Sequence, residues 1–307
     1  MRVLVTGANG FVGSWLLPEL MAAGHEAVAA PPSADLDITD GPAVARLVRD
    51  VRPDAVAHLA AVSYGPDARA DPTRAMAVNE GGTRALMEAI RAERPGVPVL
   101  VASSSEVYGA PDAEDLPLTE TAPLRAVLPY GRSKVAQERV ALGHGAAYGI
   151  PVVVTRAFNH TGPGQRHVFV APALAQRALA LRGTGATSIR VGNVDVRRDF
   201  LDVRDVVRAY RELLEGAAAG SVPPGTVVNV ASGRSVSIRE ILVTICRIAG
   251  VTATPVADPS LVRTDDPAEV VGDAAALHAL TGWSPRIDLG TTLADLVASL
   301  EPREERA

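Results

Sequence analysis

Cysteine is nearly missing from this chain: one residue of 307, Cys246. Neither an intrachain disulfide framework nor a multi-cysteine metal site can be built from it. Its setting, Ile241-Leu-Val-Thr-Ile-Cys-Arg-Ile, predicts a buried structural thiol. Aromatic residues are scarce at 4%, so small aliphatic side chains must fill the interior. Basic charge is not in excess, since 30 Lys and Arg stand against 35 Asp and Glu for a net of −5. That balance disfavours a nucleic-acid partner, whose backbone demands a cationic footprint, and leaves room for a small anion held by local arginines. No run of 18 uninterrupted apolar residues occurs, and Met1 leads directly into Arg2-Val3-Leu4-Val5 without a signal-like apolar core. No membrane partner and a cytoplasmic location are therefore expected.

What is present is the composition of a globular chain, 47% apolar and 21% charged. Its length allows two domains, or one large α/β unit with an appendage, at about 150 residues per domain. Short β-branched runs at residues 2–5, 27–30, 55–59, 97–102 and 152–155 alternate with helical spacing at 13–23, 42–49, 72–94 and 130–148. That alternation predicts βαβ units around a parallel sheet, and strands apolar on both faces belong in the middle of a covered one. Beyond about residue 158 the alternation weakens. A helix is expected at 172–181 and surface loops at 216–225 and 255–267, where Gly, Pro, Ser, Thr and Asp collect. The division expected is residues 1–158, with the chain returning to this unit around 199–216, and a smaller unit within 159–307.

Directly after the first strand comes Thr6-Gly7-Ala8-Asn9-Gly10-Phe11-Val12-Gly13. Three glycines between a strand and a helix make a tight turn and let backbone N–H groups approach a pyrophosphate at a helix N-terminus. Asp37-Ile38 falls in a loop where it can meet an adenine ring. His58-Leu59-Ala60-Ala61 ends a strand with small residues beside a flat ligand, and His58 reads as a satisfied histidine at that strand end. The second strand ends Ala29-Ala30-Pro31-Pro32, without the acidic residue that would bind a ribose 2′-hydroxyl and without an arginine in its place. The expected cofactor is NADP(H) or NAD(H), with no preference between them.

Tyr130-Gly-Arg-Ser-Lys134 places a phenol and an ammonium one helical turn apart. A cation near a phenol favours the phenolate, so Lys134 is expected to hold the Tyr130 pKa down. Ser103-Ser104-Ser105-Glu106-Val107-Tyr108-Gly109 follows a central strand, whose C-terminal end faces the crevice of an open α/β sheet. A hydroxyl there can hydrogen-bond a substrate carbonyl while Tyr130 exchanges the proton.

Together, the glycine loop, the serines ahead of Tyr108-Gly109 and the Tyr-x-x-x-Lys pair resemble an extended short-chain dehydrogenase/reductase of the epimerase/dehydratase type, over essentially the whole chain. The resemblance implies a Rossmann-type doubly wound parallel sheet with a smaller C-terminal α/β substrate-binding region, and a catalytic set of Ser104, Tyr130 and Lys134. It assigns Gly7, Asn9, Gly10, Phe11, Val12, Gly13, Asp37, Ile38, Leu59, Ala60, Ala61, Asn79, Ser103, Tyr130 and Lys134 to the cofactor. Arg156-Ala-Phe-Asn159-His160-Thr-Gly-Pro-Gly-Gln165 and Val191-Gly-Asn193 are similar to segments of relatives that use GDP-sugars. The substrate side would then comprise Ser104, Asn159, Val168, Arg190, Asn193, Arg198, Arg263 and Asp266. Arg198 and Arg263 would clamp a diphosphate, although Arg263-Thr264-Asp265-Asp266 departs from the relatives' Arg-Pro-x-Glu. The implied reaction is reduction of the C4 ketone of a GDP-4-keto-6-deoxy-hexose. The alternatives are a 4,6-dehydratase or epimerase with Glu106 as base, or a non-enzymatic NAD(P)-binding regulator. Thr281-Gly-Trp283-Ser-Pro285 reads as packing, and a homodimer through the helices at 72–94 and 130–148 is expected.

Overall fold

Along the first strand Val3 and Val5 point to one face and Leu4 to the other, and all three are fully buried. A strand apolar on both sides needs cover on both sides, and the chain supplies it. In a computed structural model, which describes residues 1–262 and 266–301, six parallel strands form one sheet. They are β1 (Arg2–Thr6), β2 (Glu26–Ala29), β3 (Ala55–His58), β4 (Val99–Ala102), β5 (Val152–Ala157) and β9 (Thr226–Val230), in the order β2-β1-β3-β4-β5-β9. Helices α1 (Phe11–Ala22), α8 (Val203–Ala219) and α10 (Ala275–Thr281) cover one face through Leu16, Leu20, Val206, Leu213 and Leu277. Helices α2 (Gly41–Val51), α5 (Gly82–Glu93) and α6 (Pro129–Tyr148) cover the other through Val44, Val48, Leu86, Ile90 and Ala141. Strand order reverses beside β1, so the loops after β1 and β3 diverge and open the crevice where such sheets bind ligands.

The C-terminal region is built on α7 (Val170–Ala180), α9 (Ile238–Ala249) and α11 (Leu289–Leu300), which meet over Leu174, Ile245 and Leu296. Beside them, β8 (Arg197–Asp202) lies between β10 (Ser235–Ser237) and β12 (Glu269–Val270) and also pairs with β6 (Asn159–Thr161). A two-stranded ribbon joins β7 (Ser188–Val191) to β11 (Thr254–Ala257). Cys246 is buried in the helical core, and burial pushes its thiol pKa up. Trp283 is buried under the large sheet with its indole N–H donating to the Asp205 carbonyl at 3.0 Å, a packing role. Among the described residues no helix is long and apolar enough to cross a membrane.

Three local features differ from the sequence expectation. After β3 comes the short α3 (Gly65–Ala70), and the helix expected over 72–94 then runs without a gap from α4 (Pro72–Met76) through a π-turn at Ala77–Gly81 into α5, so only the width of that turn departs from the expectation. The wider turn lets Asn79 point inward, where its amide bonds the Val62 main chain at 2.8 and 3.2 Å. The loop expected from 216 starts only after α8 ends at Ala219, because the Gly216 carbonyl accepts the N–H groups of Ser221 and Val222 and closes the helix end. The segment expected as a loop at 255–267 carries most of β11, because Pro255–Ala257 pair in parallel with Ile189–Val191 of β7.

Candidate active site

The glycine loop crosses from β1 to α1, and its three glycines are constrained in different ways. Gly7 has φ +69°, and a Cβ there would stand 2.7 Å from the Ala60 nitrogen. At Gly13 it would lie 2.4 Å from the Gly7 carbonyl oxygen, so strand and helix could not close up. Gly10 differs: an added Cβ would meet only the Gly7 carbonyl oxygen, at 3.1 Å. Gly10 leaves the start of α1 without a side-chain cap, and the starts of α6 and α7 also lack one. Those unsatisfied N–H groups suit an anionic ligand. The residues present therefore fit a dinucleotide pyrophosphate, and the cradle is one that side chains would fill.

Around this loop, Phe11 stacks parallel on His160 at 6.1 Å and the Trp15 indole donates to the Pro163 carbonyl at 3.0 Å, pinning β6 and the segment after it to α1. Ile38 packs against Gly82. Asp37 accepts both the main-chain N–H and the hydroxyl of Thr39, bonds that hold its carboxyl below its ordinary value. Ala61 borders a cavity of about 320 Å³ shared with Val62, Tyr64, Arg74 and Arg166. His58 is satisfied inside the protein, with Thr6 at 2.7 Å and Thr83 at 2.9 Å on its two nitrogens.

Tyr130 enters at the start of α6, and Gly131 beside it allows the approach: a Cβ there would lie 2.5 Å from the Glu106 carbonyl oxygen. That contact sets the phenol against the turn of residues 104–108. The Ser104 hydroxyl accepts the Glu106 N–H at 3.2 Å and hydrogen-bonds the Tyr130 side chain. Ser104, Glu106 and Tyr130 are thus brought together, and Glu106 and Tyr130 border a cavity of about 390 Å³ with Pro66, Arg69 and Leu128. Burial, reinforced by the Glu106 carboxylate, pushes the Tyr130 pKa up, and the Ser104 hydrogen bond opposes this. The direction is opposite to the expected depression by Lys134. The reason lies in where the ammonium points: Nζ donates to the Ala102 carbonyl at 2.6 Å and to Gln137 Oε1. Burial pulls Lys134 down to about 7, against the pull of Glu138.

Several polar groups near the site are oriented inward. The Ser103 hydroxyl is buried and donates to Glu138. Asn79 is fully buried and, besides the Val62 main chain, donates to Ser133 Oγ at 2.8 Å. On the substrate side, Arg198 and Asp266 form an ion pair at 2.6 Å, so the guanidinium is partly neutralised from within. Arg190 pairs with Asp258 at 2.8 Å. Asn193 is exposed and turns back on the Asp195 N–H, and Asn159 and Val168 are exposed. Arg263 lies outside the described residues.

Sequence reasoning missed the buried partners of Lys134. Glu138 accepts from Arg156 at 2.8 Å, and Arg156 reaches the Tyr108 hydroxyl at 3.2 Å. Glu138 and Gln137 sit four and three residues after Lys134, so α6 sets both beside it. One compositional signal was available: Lys134 is the only lysine in the chain, and the other 29 basic residues are arginine. A guanidinium stays charged, whereas a buried amine can titrate near neutrality.

The profile of the NAD dependent epimerase/dehydratase family matches residues 3–231. The GDP-6-deoxy-D-mannose reductase of Pseudomonas aeruginosa is 38% identical over 303 residues, 98% of each chain. The UDP-glucose 4-epimerase of Streptomyces lividans is 32% identical over 94% of this chain and 93% of its own. Among solved structures, RMD from Pseudomonas aeruginosa complexed with NADPH superposes with a TM-score of 0.88 at 37% identity, covering 97% of this chain and 98% of that one. The Thermus thermophilus UDP-glucose 4-epimerase complex with NAD gives 0.84 at 29% identity, covering 97% and 98%. With its parallel sheet, glycine cradle and serine–tyrosine–lysine site, this chain belongs to the NAD dependent epimerase/dehydratase family.

Proposed function

We propose that the protein uses NAD(P)H to reduce the C4 ketone of a GDP-4-keto-6-deoxy-hexose, giving a GDP-6-deoxy-hexose. The observation that carries this reading is the hydrogen-bonded meeting of Ser104 and Tyr130, with Tyr130 and Glu106 bordering a cavity, in a chain 38% identical to a GDP-6-deoxy-D-mannose reductase over 98% of its length. The cradle of Gly7, Gly10 and Gly13, with Leu59–Ala61, would hold the dinucleotide. A bound reduced nicotinamide supplies a hydride. Tyr130 keeps its proton at neutral pH because burial and Glu106 disfavour the phenolate, so it is the acid that protonates the C4 oxygen. Ser104 donates a hydrogen bond to that oxygen and stabilises the charge developing on it. The Lys134 ammonium, fixed by two acceptors, keeps a third N–H for the cofactor ribose and favours the phenolate once the proton has left. Asn79 and Ser133 hold the main chain at Val62 and Tyr130, and so act as positioning groups. Arg198, with Asn193 and Arg190, would face the nucleotide diphosphate.

Incubating the protein with NADPH and a GDP-4-keto-6-deoxy-hexose should consume the reduced cofactor's absorbance in step with product. The Glu106 carboxylate beside Tyr130 favours a second reading, a 4,6-dehydratase or epimerase with that residue as base. Dehydration of GDP-mannose or epimerisation of a sugar nucleotide without net cofactor consumption would replace the reductase reading by that one. NAD(P) binding with no turnover of any sugar nucleotide would leave a binding protein. A homodimer through α5 and α6 is proposed as the assembly, and a monomer in light scattering would refute it.

A further inference from the structure

Behind the crevice, four completely buried side chains, Thr6, His58, Thr83 and Gln137, form one hydrogen-bond chain whose direction follows from donor and acceptor capacity. An ammonium can only donate, so Gln137 must present its carbonyl oxygen to Lys134 Nζ. That turns the amide nitrogen toward Thr83 Oγ1, at 3.0 Å. The Thr83 hydroxyl donates its own proton to the Asn79 carbonyl at 2.7 Å, so toward its other neighbours it is an acceptor. His58 Nε2, at 2.9 Å from the same oxygen, therefore carries a proton. Burial, helped by the nearby Lys134 charge, pulls the His58 pKa down to about 3. The ring is neutral, its Nδ1 is bare, and that nitrogen accepts from Thr6 Oγ1 at 2.7 Å. Thr6 in turn accepts the Ala60 N–H at 3.3 Å, directly beside Gly7.

We propose that Gln137 is a positioning residue for Lys134: its amide, held in one orientation by Thr83 and the Nε2–H tautomer of His58, aims the chain's single amine and ties it to the strand ends that carry the glycine loop. The inference rests on Lys134 having the role given under Proposed function. The other groups facing Lys134 are the Ala102 carbonyl at the end of β4, Glu138 on the same helix, which is itself paired with Arg156, and His58 on β3. None of these replaces the acceptor that Gln137 Oε1 supplies. Removing that acceptor disfavours the ammonium, and replacing it by a carboxylate favours it.

Because the chain contains one lysine, incorporation of lysine labelled with ¹³C at Cε gives one side-chain resonance whose pH titration reads the Lys134 pKa directly. Neither cofactor nor substrate is needed, so failure here leaves the reductase reading untouched, and failure of turnover leaves this measurement intact. Gln137→Met keeps the side chain's length and should lower the midpoint by about one pH unit, and Gln137→Glu should raise it, as loss or gain of a hydrogen bond to a charged group requires. A merely structural residue would lower the melting temperature without moving the two midpoints in opposite directions. If Gln137→Met does not fold, Thr83→Val should shift the midpoint and Thr83→Ser should restore it. Parental midpoints in Gln137→Met and Gln137→Glu, shifts of the same sign in both, or a parental midpoint in Thr83→Val overturn the proposal.

Discussion

Replacing Gly10 and Gly13 singly by alanine separates the internal demand on the glycine loop from the demand made by a ligand. At Gly13 the new Cβ would stand 2.4 Å from the Gly7 carbonyl oxygen and 2.6 Å from both the Cα and the carbonyl oxygen of Ala8. These are main-chain atoms that cannot rotate aside, so Gly13→Ala should destabilise by about 1–3 kcal/mol, the ordinary cost of overpacking. At Gly10 the only neighbour is the Gly7 carbonyl oxygen at 3.1 Å, and φ −79°, ψ 172° suits any residue. Gly10→Ala should therefore cost less than about 1 kcal/mol, the difference between glycine and alanine as a helix cap. Binding should show the reverse pattern. Apart from its 3.1 Å approach to the Gly7 carbonyl oxygen, a methyl group at Gly10 meets no other atom within 4 Å, and a pyrophosphate must come within hydrogen-bonding distance of the first N–H groups of α1. Losing one or two charge-assisted bonds at about 1.5–3 kcal/mol each should weaken NADPH binding by at least about tenfold. Urea unfolding without ligand and a fluorescence titration with NADPH measure the two effects. Parental NADPH affinity in Gly10→Ala, or a loss of stability equal to that of Gly13→Ala, would refute the reasoning.

Tyr130→Phe should reduce turnover by about 10²–10⁴-fold, the value of a positioned general acid, while leaving NADPH affinity unchanged in the same titration; substantial activity would remove Tyr130 from the proton step. Arg156→Met leaves the Glu138 carboxylate buried against the Ser103 hydroxyl and should cost about 3–5 kcal/mol in urea unfolding, with much of it recovered on adding Glu138→Leu, because an unpaired buried charge carries most of the penalty. The reductive kcat/KM should fall as pH rises through about 7, where the free enzyme's Lys134 loses its proton, while Tyr130, with its pKa raised, stays protonated throughout. A profile flat across about pH 6–9 would show that the ammonium is not required.

Much of the sheet was legible because its chemistry is local. Val3, Leu4 and Val5 are apolar on both faces, which demands a covered parallel strand, and the glycines at 7, 10 and 13 stand between that strand and a helix. Tyr130 and Lys134 share a turn of α6 wherever the helix lies, and Ser104 follows β4 by chain order. The π-turn at Asn79 was not legible: helical spacing continues through it, and only the Val62 main chain, brought close by β3, draws the amide inward. Resemblance assigned Arg198 and Asp266 alike to the substrate side, but their ion pair across 68 residues is a pairing that no local pattern announces.

The pKa of Tyr130 draws the same boundary. Spacing along one helix places Lys134 a turn from the phenol, and from that alone a depressed pKa follows. Burial and the approach of Glu106 reverse the sign, and the ammonium is instead turned to Ala102 and Gln137. Residue order thus determined the strands and the glycine turn and singled out Ser104, Tyr130 and Lys134 as the candidate reacting groups, since each depends on neighbours a few positions apart. Solvent exclusion, the tautomer of His58 and the aim of Lys134 depend on residues 6, 58, 83, 102 and 137 meeting in one buried place. Desolvation and hydrogen-bond geometry act through space, so those properties arise only once the sheet and α6 have closed around them.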